Sequence, residues 1–93
     1  MADGLLAPAI GQLPFQQLRG IVRRAALVSE AELGQAVKFL WERQGWRVEP
    51  SGAAAVATLL AGRLEGPLPA GPIVAVVSGG NVDPELFDRL VRP

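Results

Sequence analysis

Four residues, Ser78-Gly79-Gly80-Asn81, follow directly on the apolar run Ile73-Val74-Ala75-Val76-Val77. A hydroxyl and two glycines at the carboxyl end of a buried strand stand where open α/β sheets bind ligands. The glycines admit unusual backbone angles and let a flat ligand approach closely. Taken alone, the quadruplet is also the composition of a plain strand-ending turn. A second segment of this kind is Glu49-Pro50-Ser51-Gly52, which puts an acid and a hydroxyl ahead of Ala53-Ala54-Ala55. What the chain lacks narrows the chemistry further. It has no cysteine, so it has no thiol nucleophile, thiolate metal site or disulfide frame, and no histidine, which removes the commonest general base and any Ser-His-Asp triad. Asp3, Glu30 and Glu32 do not make a recognisable metal set, and no metal site is expected.

The elements that must position these residues are short. The 93 residues suffice for one domain, 1–93, whose core has a narrow margin. Nine basic and nine acidic side chains cancel, which points to neither nucleic acid nor a membrane surface as partner. No apolar stretch is long enough for a membrane span, and no signal peptide is visible, so a cytoplasmic location is expected.

Residues 1–14 read as a loop. Pro14 fits the first turn of a short helix, with Phe15, Leu18, Ile21 and Val22 at helical spacing to about residue 24. Residues 25–28 are a short apolar run with the character of a strand. Ser29 and Glu32 have capping-box spacing, and Leu33, Ala36, Val37, Leu40 and Trp41 follow on one face. Gly45 should stop that helix, and residues 46–48 read as another short extended piece. Trp41 and Trp46 are expected in the core. A helix over about 51–62, with Ser51 as its N-cap, is apolar nearly all round and should be buried. A loop over residues 66–72 leads to a strand over 73–77 whose lack of alternation asks for cover on both faces. A short helix from Pro84 to Leu90 ends the pattern. Asp3, Asp83 and Asp88 read as turn and cap residues.

In order and spacing, Ala2-Asp3-Gly4-Leu5, Val28-Ser29-Glu30-Ala31-Glu32, Leu40-Trp41-Glu42-Arg43, Val48-Glu49-Pro50-Ser51-Gly52-Ala53-Ala54 and Val77-Ser78-Gly79-Gly80-Asn81-Val82-Asp83 resemble the threonine/serine dehydratases and serine racemases. These are fold-type II enzymes dependent on pyridoxal phosphate. The resemblance covers nearly the whole chain and corresponds to roughly the last third of that family's catalytic domain. It implies a three-layer α/β fold (αβα) with a mostly parallel sheet, here part of the larger lobe. It implies pyridoxal phosphate as cofactor, an amino-acid substrate, and conversion of L-threonine or L-serine to a 2-oxo acid and ammonia, with racemisation as the alternative within the family.

By the resemblance, Ser78 hydrogen-bonds the pyridine nitrogen of the cofactor, and Gly79 and Gly80 give the ring room. Glu49 lies near the cofactor in this reading; it reads equally as an acid at a helix start, favoured by the dipole. Gly4 is a further lining residue through its backbone.

The departures bear on activity. The chain has one lysine, Lys38, placed in mid-helix beside the apolar stripe with no phosphate-binding loop nearby. It reads as a helix-surface lysine. The family's cofactor-anchoring lysine, glycine-rich phosphate cup and substrate-carboxylate loop would all lie upstream. The expectation is therefore a C-terminal piece of a dehydratase, inactive alone, with a complementing N-terminal fragment as partner. The competing reading is a non-catalytic structural or relic protein.

Overall fold

The structure is a computed structural model that describes residues 1–5 and 11–92, and of Asp3 the backbone only. Its centre is a capped amphipathic helix. Helix α1 spans Gln12–Leu18, α2 Glu30–Gln44, α3 Ala54–Leu60 and α4 Pro84–Val91, with short 3-10 turns at Asp3–Leu5 and Pro50–Ala53. The loop expected over residues 1–14 thus contains a 3-10 turn and the start of α1, while its residues 6–10 lie outside the described residues.

Helix α2 forms as its sequence dictates. The Ser29 hydroxyl accepts the Glu32 N–H at 3.1 Å, and the Glu32 carboxylate accepts the Ser29 N–H at 2.8 Å. Two of the four N–H groups that a helix start leaves unpaired are satisfied in this way. At the other end, Gly45 takes the left-handed conformation, φ 70°, and its N–H returns to the Leu40 and Trp41 carbonyls. Only glycine adopts that conformation without cost. The face between these caps buries Leu33, Ala36, Val37 and Leu40. Helices α3 and α4 and the 3-10 turn at Pro50–Ala53 pack around it, and Val48, Ala53, Ala57, Val82 and Phe87 complete the core. Val37 is fully buried, and burying a side chain of its kind contributes about 1.5–3 kcal/mol. Gly34 lies at the α2–α4 contact, where a Cβ would stand 2.9 Å from Leu90 Cδ2 and the leucine tip would have to shift.

Arg63, beyond the end of α3, reaches back to α2. Its Nε and a terminal nitrogen both stand 2.7 Å from the same Glu32 oxygen. The Ser29 N–H, then Arg63, hold the Glu32 carboxyl below its ordinary value of 4.5. Asp83 caps α4, its carboxylate accepting the Leu86 N–H at 3.3 Å, and Pro84 opens the helix as expected. Asp88 is no cap; it lies within α4.

Several expectations are corrected. Helix α1 ends at Leu18, not near residue 24, and buries nothing. Gly20 follows and disfavours helix continuation, and no element among the described residues covers the apolar face. Ser51 is not an N-cap. Pro50 opens a 3-10 turn instead, with Glu49 ahead of it, and the regular helix starts at Ala54. Of α3 only Ala57 is buried, and Leu60 is half exposed. Trp41 and Trp46 are exposed, not core, although the Trp41 ring meets Phe87 edge to face at 5.4 Å.

The largest difference concerns the expected strands. Residues 25–28 and 73–77 take no regular secondary structure, and no strand ladder forms among the described residues. Val74 is 88% and Val76 71% exposed, while Ala75 and Val77 are half-buried. Extended backbone becomes sheet only through hydrogen bonds to another strand, and the described residues supply none. The two segments flank a cleft of about 300 Å³ over α3, lined by Ala26, Ala55, Thr58, Leu59, Ile73 and Ala75 among others.

Candidate functional site

The two motifs noted in the sequence, 49–52 and 78–81, meet in the structure. Gly45 ends α2, the chain runs on through Arg47 and the buried Val48, and Glu49 enters the 3-10 turn. There the Glu49 N–H donates to the Gly79 carbonyl at 3.0 Å, and the Ser78 N–H donates to the Gly52 carbonyl at 3.3 Å. The turn continues with the Val82 N–H on the Gly80 carbonyl at 2.9 Å. Gly79 has φ 79°, a conformation that reverses the chain sharply and suits glycine.

The fit between the two motifs is close. A Cβ on buried Gly52 would fall on the Ser78 carbonyl oxygen, and one on Gly79 would fall on the Glu49 carboxylate. A Cβ on Gly80 would stand 3.1 Å from the Arg47 carbonyl oxygen. Gly4 lies against the same region from the other side, its Cβ position 2.8 Å from Ser51 Oγ.

Gly4, Glu49 and Asn81 share one cleft of about 370 Å³ with Pro50, Val82 and Asp83. Ser78, Gly79 and Gly80 are exposed beside it and do not line it. The Ser78 hydroxyl makes no hydrogen bond among the described residues and is free to meet a ligand acceptor, with two glycines behind it. That donor and that open backbone suit the edge of a flat heteroaromatic ring. Lys38 stands elsewhere. It lines a shallow cleft with Gly34, Gln35, Arg89 and Leu90, to which no residue of the Ser78 turn contributes.

Two contributors were not anticipated. Gly52 counted only as part of a motif, yet its missing side chain is what admits Ser78. Arg47 clamps the far side of the turn. Its guanidinium donates to the Val82 carbonyl at 3.4 Å and lies 5.0 Å from the centre of the Phe87 ring. The glycine before an alanine run was a legible sign of a close approach; nothing in the sequence marked Arg47.

Residues 1–79 match the model of the pyridoxal-phosphate dependent enzyme family. The chain belongs to that family, as the sequence motifs indicated. It is 32% identical to an L-threonine ammonia-lyase of Thermotoga maritima over 92 residues, which are 99% of this chain and 22% of that protein. To a serine racemase of Dictyostelium discoideum it is 35% identical over 92 residues, 99% of this chain and 28% of the racemase. To a catabolic L-threonine dehydratase of Escherichia coli it is 35% identical over 83 residues, 89% of this chain and 25% of the dehydratase. The chain thus spans about a quarter of the length of these curated relatives. No solved structure matches it significantly. No helix among the described residues is long and apolar enough to cross a membrane.

Proposed function

We propose that this chain is the C-terminal part of the catalytic domain of a cytoplasmic threonine/serine ammonia-lyase, and that it contributes the wall facing the ring nitrogen of pyridoxal phosphate. The observation that carries this reading is the docking of Glu49–Gly52 onto Ser78–Gly80, which holds a free hydroxyl and two glycines at one turn. When bound, the cofactor supplies an electron sink for breaking bonds at the amino acid's α-carbon.

Ser78 would hold the ring nitrogen by donating a hydrogen bond to it from its hydroxyl. Being neutral, it leaves that nitrogen less charged than a carboxylate partner would. Such a setting suits elimination of a β-hydroxyl, which needs only brief stabilisation of charge at the α-carbon. Gly79 and Gly80 let the ring approach the backbone, Glu49 stands behind the turn, and Gly4 closes the adjoining cleft. Residues 25–28 and 73–77 become strands of a mostly parallel sheet when the remainder of the domain pairs with them. By itself the chain does not catalyse the reaction, because Lys38 is not placed to anchor the cofactor.

The test is reconstitution with a polypeptide carrying the family's anchoring lysine and phosphate-binding loop. 2-Oxo acid should form from L-threonine or L-serine only in the mixture. In it, Ser78→Ala should weaken cofactor binding by about 1–3 kcal/mol, and Ser78→Asp should shift products from elimination toward racemisation. Unchanged spectrum, affinity and product ratio in both variants would remove Ser78 from the ring. Stoichiometric borohydride trapping of the cofactor on Lys38 in the chain alone would overturn the inactivity. A racemase is the second reading, since the chain is 35% identical both to the Dictyostelium discoideum racemase and to the Escherichia coli dehydratase; the ratio of racemised to deaminated product separates the two.

A further inference from the structure

Among the described residues the Ser78 side chain has no hydrogen bond of its own to hold it, so its direction is set through the backbone. The peptide groups on either side of the Ser78–Gly79 pair are each tied to the other motif: the Ser78 N–H to the Gly52 carbonyl and the Gly79 carbonyl to the Glu49 N–H. Between these two bonds the Ser78 carbonyl lies flat against the Gly52 α-carbon, in space that any side chain at residue 52 would fill. The obstacle at this point is backbone on both sides, which cannot rotate out of the way as a flexible side chain can. At Gly79 the situation differs. There the space is held by the Glu49 carboxylate, the far end of a flexible side chain, and the residue also has φ 79°.

We propose that Gly52 is the positioning residue of the site. By carrying no side chain it lets the Ser78 backbone seat against it, and so aims a hydroxyl that Gly52 itself never touches. The Glu49 carboxylate is a secondary brace, lying over Gly79. This inference rests on the proposed role of Ser78, but what it asserts about the turn can be read without cofactor.

Amide hydrogen exchange in the isolated 93-residue chain, followed by NMR, is the experiment. In the unaltered protein the Ser78 and Glu49 amides should exchange more slowly than those of Val74 and Val76, which are exposed and lie in no regular element. In Gly52→Ala the Ser78 and Glu49 amides should exchange about tenfold faster or more, while amides in the middle of α2 change by less than about twofold. Gly79→Ala should also accelerate both amides. Adding Glu49→Ala should recover part of that loss, because the carboxylate is gone and only the φ cost remains; the same addition should recover nothing in Gly52→Ala.

Ser78 and Glu49 amides as fast as Val74 in the unaltered chain would overturn the proposal, and so would a folded Gly52→Ala with both amides unchanged. If Gly52→Ala does not fold, the unaltered chain and the Glu49/Gly79 pair still decide. Exchange as expected, together with a silent Ser78→Ala in the reconstituted enzyme, would leave the turn as described and remove only the role of Ser78.

Discussion

Helix α2 carries one apolar face and the run 73–77 is apolar throughout, yet α2 buries more residues than any other described element and the run is largely exposed. Val37 is fully buried, whereas Val74 is 88% exposed. The difference lies in where each element's partners come from. Helix α2 makes its hydrogen bonds within itself, takes its caps from Ser29 and Gly45, and finds covering side chains on α3 and α4. An extended segment makes none of its own bonds and depends on a second strand. Apolar composition therefore establishes that a segment is destined for burial, and period and caps determine whether this chain can bury it unaided.

The sharpest way to break the comparison is to damage the closed half. Phe87 is 5% exposed, packs edge-on against Trp41 and lies under Arg47. Phe87→Ala should cost about 3–5 kcal/mol, measured by urea unfolding. That is most of the stability of a small domain, and a loss below 1 kcal/mol would show that α4 is not part of the cooperative core. Ser29→Ala should cost about 1 kcal/mol in the same assay, through the lost cap.

A smaller effect follows from Glu32. Its carboxyl is held below 4.5 when folded. The unfolded chain therefore takes up this proton at higher pH than the folded one. The stabilisation is complete above the ordinary carboxylate value and is lost as pH falls through the lower folded value. Glu32→Ala should remove this acid-limb dependence, visible as a flatter unfolding midpoint against pH; an unaltered limb would assign it to other groups.

The smallest expected change in stability comes from the open half. Val76→Lys should alter unfolding by less than about 0.5 kcal/mol while reducing self-association in sedimentation, since exposed apolar extended chain invites edge pairing. If the unaltered chain proves monodisperse, the exposed run is not an association surface.

What could be read from the sequence follows the same division. The Ser29 and Glu32 capping box, the Gly45 stop, the face from Leu33 to Leu40 and the Pro84 start are local signals, and all four appear in the structure. That the run 73–77 needs cover on both faces was legible; that it would form no strand was not, because pairing depends on atoms far away in sequence or outside it. Trp41 and Trp46 misled because size and apolarity say nothing of which neighbours exist. In the site, the glycines and Ser78 could be singled out by type. Their docking onto 49–52 could not, since backbone bonds between distant turns leave no pattern in side chains.

A capping box alone accepts either glutamate or glutamine at its third helical position. The bond to Arg63 withdraws that freedom here. One oxygen of Glu32 accepts the Ser29 N–H and the other takes both Arg63 nitrogens, so an amide in its place would turn a donor toward a donor whichever way it was flipped. Nor would lysine substitute fully at residue 63, because it lacks the planar fork that places two donors on one oxygen. Positions 32 and 63 are thus coupled, and glutamine at 32 regains its ordinary capping value only where residue 63 no longer turns two donors toward it.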